Sequence, residues 1–364
     1  MATVKLGDIA IEAKSSNKGD KTGIRIVGLE HLTPSNVTLS SWNEDTENTF
    51  TKEFSKGDVL FGRRRAYLKK AAVAPFDGIC SGDITVIRAI EDKVDPDLLP
   101  FIIQNDFLFD FAVGKSAGSL SPRVKWTHLK EFAIELPLMP EQSKLAETLW
   151  SINETKNAYE DLINKTDELV KSQFIEMFGN PVTNTKGWKT AKIKDVAPEM
   201  PSKEQLSGKI WLLNLDMIES NTGRIIEKVY EDVENALSVQ SFDEGNVLFS
   251  KLRPYLNKVV IPDEPGMATT ELVPLRPEPS KLHKVFLSHL LRGNQFVNYA
   301  NDIAGGTKMP RMPLTELRNF DCILPPMDKQ LEFVFIAEQV DKSEFELRKS
   351  IDAIDQVIKS LINN

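Results

Sequence analysis

The sequence contains itself twice. From Phe54, FSKGDVLFGRRRAYLKKAAVAPFDGICSGDITVIR aligns without a gap to FDEGNVLFSKLRPYLNKVVIPDEPGMATTELVPLR from Phe242, an offset of 188 residues. Phe54/Phe242, Val59/Val247, Leu60/Leu248, Phe61/Phe249, Arg65/Arg253, Tyr67/Tyr255, Lys70/Lys258 and Gly78/Gly266 are identical. The same offset returns where PRVKWTHLKEFAIELPLMPEQ from Pro122 lies on PRMPLTELRNFDCILPPMDKQ from Pro310, with Pro122/Pro310, Arg123/Arg311, Met139/Met327 and Gln142/Gln330 kept. Near the front the register slips by one or two residues, as small surface-loop indels do. A unit of about half the chain is too long for a solenoid repeat and has the size of a domain. The chain must therefore fold as two copies of one plan.

Each copy opens with short apolar runs broken by Pro and Gly, and closes with a long stretch free of both. The first such stretch, residues 141–178, is ended by Gly179-Asn180-Pro181, where Gly accepts the left-handed cap and Pro cannot continue the helix. Leu145, Leu149, Ile152, Tyr159, Ile163, Val170, Phe174 and Met177 fall at three- and four-residue spacing, which predicts a helix with one apolar seam. Residues 329–364 repeat the pattern with Phe333, Ile336, Val340, Leu347, Ile351, Ile354, Ile358 and Leu361. Two equal seams can bury each other, and copies related by a two-fold axis would run the helices antiparallel. A helix of roughly 36 residues spans ~54 Å at the standard rise.

Composition narrows the class. The net charge is -8 and the sequence pI about 5.3, which argues against a surface that is positive all over but not against a local basic face on DNA. No apolar run reaches the length of a membrane span, and the N-terminal MATVKLGDIAIEAK has no apolar core of a signal peptide, so the expected location is the cytoplasm. Cys80 and Cys322 lack any CxxC partner and are expected to be small buried apolar residues.

The order of these parts resembles the DNA specificity (S) subunit of type I restriction-modification systems. The resemblance is carried by Gly57-Asp58-Val59-Leu60 with the basic run through Lys70, by its echo Gly245-Asn246-Val247-Leu248 through Lys258, and by the two Pro-Arg segments. The blocks Leu136-Pro137-Leu138-Met139-Pro140-Glu141-Gln142 and Leu324-Pro325-Pro326-Met327-Asp328-Lys329-Gln330, each leading into a long helix, complete it. The match covers essentially the whole chain.

The resemblance implies an α+β protein in which two tandem-repeat α/β target recognition domains, pseudo-two-fold symmetric, are separated by two long antiparallel coiled-coil helices. The expected boundaries are residues 1–140 for the first recognition domain, 141–180 for the central long helix, 181–328 for the second domain and 329–364 for the distal helix. It also implies that each domain reads half of a split, asymmetric site on double-stranded DNA, with the helices as a ruler. Two methyltransferase subunits and a restriction/translocase subunit are the implied partners. S-adenosylmethionine would belong to the methyltransferase, and ATP and Mg to the restriction subunit, so this chain would need no cofactor and would not be an enzyme.

The repeat itself sorts candidate DNA contacts. If the copies read different sequences, shared residues should carry framework and phosphate grip, and unshared ones readout. Arg65/Arg253, Lys70/Lys258 and Arg123/Arg311 are shared, and each is a candidate for a phosphate contact or for a loop anchor. Among the unshared, Arg63/Lys251, Arg64/Leu252, Lys69/Asn257 and Lys125/Pro313 differ, and Arg, Lys and Asn can read base edges. Trp42, Asn43, Asn221 and Arg224, in polar segments, are further readout candidates, and Lys115 and Lys308 stand beside the Gly-containing turns AGSLSPR and AGGTKMPR, where they could approach a phosphate closely. Tyr67 and Tyr255 are expected in the core.

Catalytic motifs are not found. Leu324-Pro325-Pro326-Met327 lacks the polar and aromatic ends of an amino-methyltransferase motif, no GxxxxGK[ST] loop occurs, and His31, His128, His283 and His289 have no metal-ligand spacing. Glu154-Thr155-Lys156 has nuclease-like spacing but falls in the predicted helix, where a solvated charge pair is the expected role. The competing class is a coiled-coil interaction scaffold without sequence readout, which neutral surface at the basic segments would favour.

Overall fold

A computed structural model describes residues 2–44, 47–203, 206–232 and 239–363. It divides into two units, Met1–Glu160 with Arg348–Asn364, and Asp161–Leu347.

The first unit is built on two four-stranded sheets. One orders Ala10–Glu12, Ile84–Ala89, Val59–Gly62 and Ala71–Val73, all antiparallel; the other orders Asn43–Glu44, Arg25–Val27, Gly78–Cys80 and Lys52–Phe54, with a parallel pair at its centre. In the second unit Val229–Asp232, Lys209–Leu213, Gly266–Thr269 and Val239–Phe242 repeat the mixed sheet, again with a parallel centre. Leu272–Leu275, Val247–Ser250 and Val259–Val260 repeat the antiparallel one. The registers coincide at the sequence offset: Leu60 faces Ala72 as Leu248 faces Val260, and Phe54 faces Gly78 as Phe242 faces Gly266. The shared glycine has a packing reason. A Cβ on Gly78 would lie 2.5 Å from the Arg25 carbonyl and 2.7 Å from the Phe54 ring, and one on Gly266 would lie 2.7 Å from both the Trp211 carbonyl and the Phe242 ring.

The repeated apolar strand residues form the cores. Val59, Phe61, Phe101 and Phe109 are fully buried in the first unit, and Val247, Phe286, Phe296 and Phe333 in the second. Cys80 and Cys322 are free and buried, and burial pushes both thiols up to about 12.

The long helices span Met139–Phe178 and Met327–Asn363. Each starts two residues earlier than predicted, at the shared methionine. In the first helix Pro140 is accommodated because first-turn N–H groups have no helical partner. Gly179, at φ +73°, ends that helix as predicted. Gln142 and Gln330 do the same work at the two starts. Gln142 accepts from the Asp95 N–H (2.9 Å) and donates to the Pro137 carbonyl (3.0 Å); Gln330 accepts from the His283 N–H and donates to the Lys281 and Pro325 carbonyls, all at 2.9 Å.

The seam residues are all buried or partly buried: Leu149, Ile163, Val170, Phe174 and Phe333 fully, and Leu145, Ile152, Tyr159, Met177, Ile336, Val340, Leu347, Ile351, Ile354, Ile358 and Leu361 in part. They pack on more than each other. Leu149 joins the first unit's core beside Phe101 and Phe109, and Ile358 and Leu361 at the far end of the distal helix pack on that core. Trp150 meets Phe101 edge-on at 5.1 Å and donates to the Asp97 carbonyl at 2.8 Å. In the second unit Phe174 and Phe178 from the end of the central helix meet Phe333 at the start of the distal one at 5.2 and 5.8 Å. The start of one helix thus shares a unit with the end of the other, and the two run antiparallel.

One expectation on the helix is corrected. Lys156 is not a solvated charge: it is 7 % exposed and its ammonium lies 2.6 Å from Asp355 on the distal helix. Among the described residues, no helix is long and apolar enough to cross a membrane.

Candidate nucleic-acid interface

In each unit the fully buried strand Val59–Gly62, or Val247–Ser250, delivers the chain into the basic segment. There the backbone makes the same knuckle twice. Arg65 (φ 54°, ψ 57°) and Lys69 (φ 50°, ψ 44°) bracket the 3-10 turn Ala66–Leu68, and Arg253 (φ 49°, ψ 67°) and Asn257 (φ 48°, ψ 53°) bracket Pro254–Leu256. Left-handed backbone at four residues other than glycine is costly, and survives only where surrounding bonds fix it. Those bonds are present. The Arg65 N–H donates to the Pro122 carbonyl at 2.8 Å and the Arg253 N–H to the Pro310 carbonyl at 2.7 Å. The Leu68 and Lys69 N–H groups close on Arg65 and Ala66, as those of Leu256 and Asn257 close on Arg253 and Pro254.

Beside each knuckle lies a short hairpin. Ala117 and Arg123 exchange both backbone bonds (3.0 and 2.9 Å), as do Gly305 and Arg311 (3.1 and 2.9 Å), with Gly118 (φ 115°) and Gly306 (φ 100°) turning the chain. The tips differ, Ser119-Leu120-Ser121 against Thr307-Lys308-Met309, and Leu120 is 90 % exposed. An acid at one shared position orients the hairpin arginine. Arg123 Nε lies 2.7 Å from Asp83, and Arg311 Nη2 lies 2.9 Å from Glu271. The Arg123 guanidinium, with Arg64 3.4 Å away, holds the Asp83 carboxyl below its usual range. Asp83/Glu271 was not singled out in the sequence, although an acid at both positions of the 188-residue offset was there to find it.

The structure divides the candidates by what holds them. Lys70 and Lys258 are loop anchors, their ammonium groups donating to the Leu29 and Leu215 carbonyls at 2.7 and 2.6 Å. Desolvation lowers the Lys258 pKa. Lys69 lies 2.6 Å from Asp106, and Arg64 also donates to Ser121 Oγ at 3.0 Å. Asn257 is 5 % exposed and donates to the Arg292 carbonyl at 2.9 Å, which takes its amide out of reach of a base edge. Arg63 and Arg253 each bury an Nε that has no hydrogen-bond partner among the described residues. Lys115 rests over the Phe111 ring at 5.7 Å. Arg65, Lys125, Lys251 and Lys308 have no ion-pair partner among the described residues.

Of the outlying candidates, Trp42 packs on Phe76 at 4.9 Å with Arg25 over both rings, and Asn43 is exposed on an edge strand. Asn221, at φ 69°, touches the second knuckle through its N–H, 3.3 Å from the Leu256 carbonyl, and Arg224 pairs with Glu219 at 3.2 Å. Tyr67 and Tyr255 are not core: they are 54 % and 50 % exposed. Each sits inside the turn that the left-handed residues force outward.

The chain is similar, with TM-score 0.52 and 18% identity over 99% of its own length and 96% of the other's, to a chain solved in a study of the complex assembly and conformational transition of the type I R-M system. The type I restriction-modification S subunit from M. genitalium matches with TM-score 0.56 and 13% identity, over 100% of this chain and 95% of its own. In sequence, the type I restriction enzyme EcoDI specificity subunit of Escherichia coli is 21% identical over 313 residues, 72% of this chain and 69% of that protein. The family described as type I restriction modification DNA specificity domain matches residues 1–168 and again 185–356, one copy for each half, and the chain belongs to that family.

Proposed function

We propose that the chain reads a bipartite, asymmetric sequence in double-stranded DNA, one half-site per unit, and brings methyltransferase and restriction subunits to it without catalysing a reaction itself. The observation that carries this reading is the repeated fold with unlike exposed residues. Two frameworks of the same register present the exposed tip Leu120 against the exposed Lys308, and the half-buried Arg64 against the half-buried Leu252. Equal frameworks suit equal phosphate geometry, and unequal side chains suit unequal half-sites.

The antiparallel helices would set the separation of the half-sites. Their exposed apolar residues, Leu162, Leu169, Phe335 and Phe345, suit them to be covered by two methyltransferase subunits. S-adenosylmethionine would then be held by those subunits, and ATP and Mg by the restriction subunit. The test is to express the chain with its methyltransferase partner and map methylation across a genome. A split motif with a fixed gap is expected, and a footprint should cover both halves. Inserting helical turns into both long helices should lengthen the gap and leave the half-sites unchanged. Methylation without sequence preference would overturn the reading in favour of a scaffold.

A further inference from the structure

The residues identical in both copies are the places to look for a shared task, and most are accounted for by the fold. Phe54/Phe242, Val59/Val247 and Leu60/Leu248 are core, and Gln142/Gln330 brace the helix starts. Lys70/Lys258 anchor a loop and Arg123/Arg311 are paired with acids. The aromatic pair Tyr67/Tyr255 has no such employment. Both rings are half exposed, and among the described residues neither hydroxyl has a hydrogen-bond partner.

The backbone beneath them is the reverse of loose. Each tyrosine is the middle residue of a single turn whose two flanks are left-handed, and each turn packs on a nine-residue helix, Asp106–Gly114 or Asn294–Asp302. Lys69 is bonded to Asp106 in one copy, and Asn257 to the Arg292 carbonyl in the other. Different side chains thus hold the same knuckle in place. Two residues before each ring stands an arginine, Arg65 or Arg253, whose guanidinium has no ion-pair partner among the described residues. A rigid mount that strains backbone to project an unbonded aromatic hydroxyl beside an unpaired cation has the chemistry of a phosphodiester contact.

Resting on the reading of the chain as a two-half-site DNA binder, we propose that Tyr67 and Tyr255 are equivalent contacts to the DNA backbone, one in each half-site. The ring packs on a deoxyribose and the hydroxyl donates to a phosphate oxygen that the neighbouring arginine also faces. Identity in both copies fits a contact blind to sequence, because the exposed residues expected to read bases differ between them.

The test uses the full chain with its methyltransferase partner and two duplexes, one bearing the mapped target and one scrambled. Tyr67→Ala and Tyr255→Ala should each weaken binding about tenfold on both duplexes, and Tyr67→Phe, which keeps the ring, should weaken it less. Tyrosine carries no charge, so the slope of log affinity against log salt should stay at the wild-type value, whereas Arg65→Ala should reduce it by about 1. A folded Tyr67→Ala complex that binds both duplexes within about twofold of wild type overturns the proposal, as does a loss confined to one base of one half-site. If the wild-type complex itself fails to distinguish the duplexes, it is the two-half-site reading that falls.

Discussion

Lys156 on the central helix holds Asp355 on the distal helix at 2.6 Å, joining residues 199 positions apart in sequence. The lysine is nearly enclosed while the aspartate stays partly exposed. Removing the acid should therefore cost more than removing the lysine's charge. Asp355→Ala leaves the enclosed cation with only Glu160, 4.0 Å away, and is expected to destabilise by about 1–3 kcal/mol, between the values for surface and buried pairs. Lys156→Met keeps the stem and should be close to neutral. Urea unfolding of both variants measures the difference, and equal losses would show that leaving the cation behind carries no penalty of its own.

Ile358, Leu361 and Ile362 pack on the core of the unit that begins the chain. Deleting residues 348–364 should expose that core and leave the second unit's Phe174, Phe286 and Phe333 cluster in place. Hydrogen exchange should accelerate at 98–112 and 145–153 while 284–300 keeps its protection. Uniform acceleration through the whole chain would contradict the local account.

Arg65 and Lys70 are five residues apart and should behave differently. Arg65 is exposed and unpaired among the described residues, so Arg65→Ala should lower the salt dependence of DNA binding by about 1 in slope with stability unchanged. Lys70 serves the Leu29 carbonyl, so Lys70→Met should cost about 1 kcal/mol of stability and leave the slope as it was. Titrations at several salt concentrations, beside thermal melts, separate the two.

His289 lies edge-on to Phe333, ring centroids 5.1 Å apart, and desolvation with Arg292 and Lys171 nearby pushes its pKa well below the usual 6.5. The unfolded chain takes up a proton near pH 6.5 and the folded one does not. This histidine's contribution is thus fully present above about pH 6.5 and is lost progressively as the pH falls below it. His289→Gln cannot titrate and should flatten stability between pH 7 and pH 5.5; an unchanged pH slope in the variant would assign the dependence to other groups.

Much of this was legible in the sequence for physical reasons. A core strand and a long amphipathic helix announce themselves by composition and period, because burial of one face is a local requirement repeated along the chain. Hence the 188-residue offset predicted two copies of one plan, whose strand registers coincide, and the seams predicted two long helices to within two residues at their starts. Identity between copies also marked Gln142/Gln330 and Lys70/Lys258 as kept. It could not say what they were kept for, since the partners, the carbonyls of Pro137, Pro325, Leu29 and Leu215, include backbone groups that every residue possesses.

The sequence by itself determined the duplication, the cores and the helices. Only the tertiary structure decided which cations were already employed, that Lys156 was enclosed beside Asp355, and that each helix seam was shared with a globular core. It also turned Tyr67 and Tyr255 outward against expectation. An aromatic residue between basic neighbours reads the same whether its ring is buried or projected. The choice was made by the left-handed backbone at Arg65, Lys69, Arg253 and Asn257, which bonds from distant residues such as Pro122 and Pro310 hold in place.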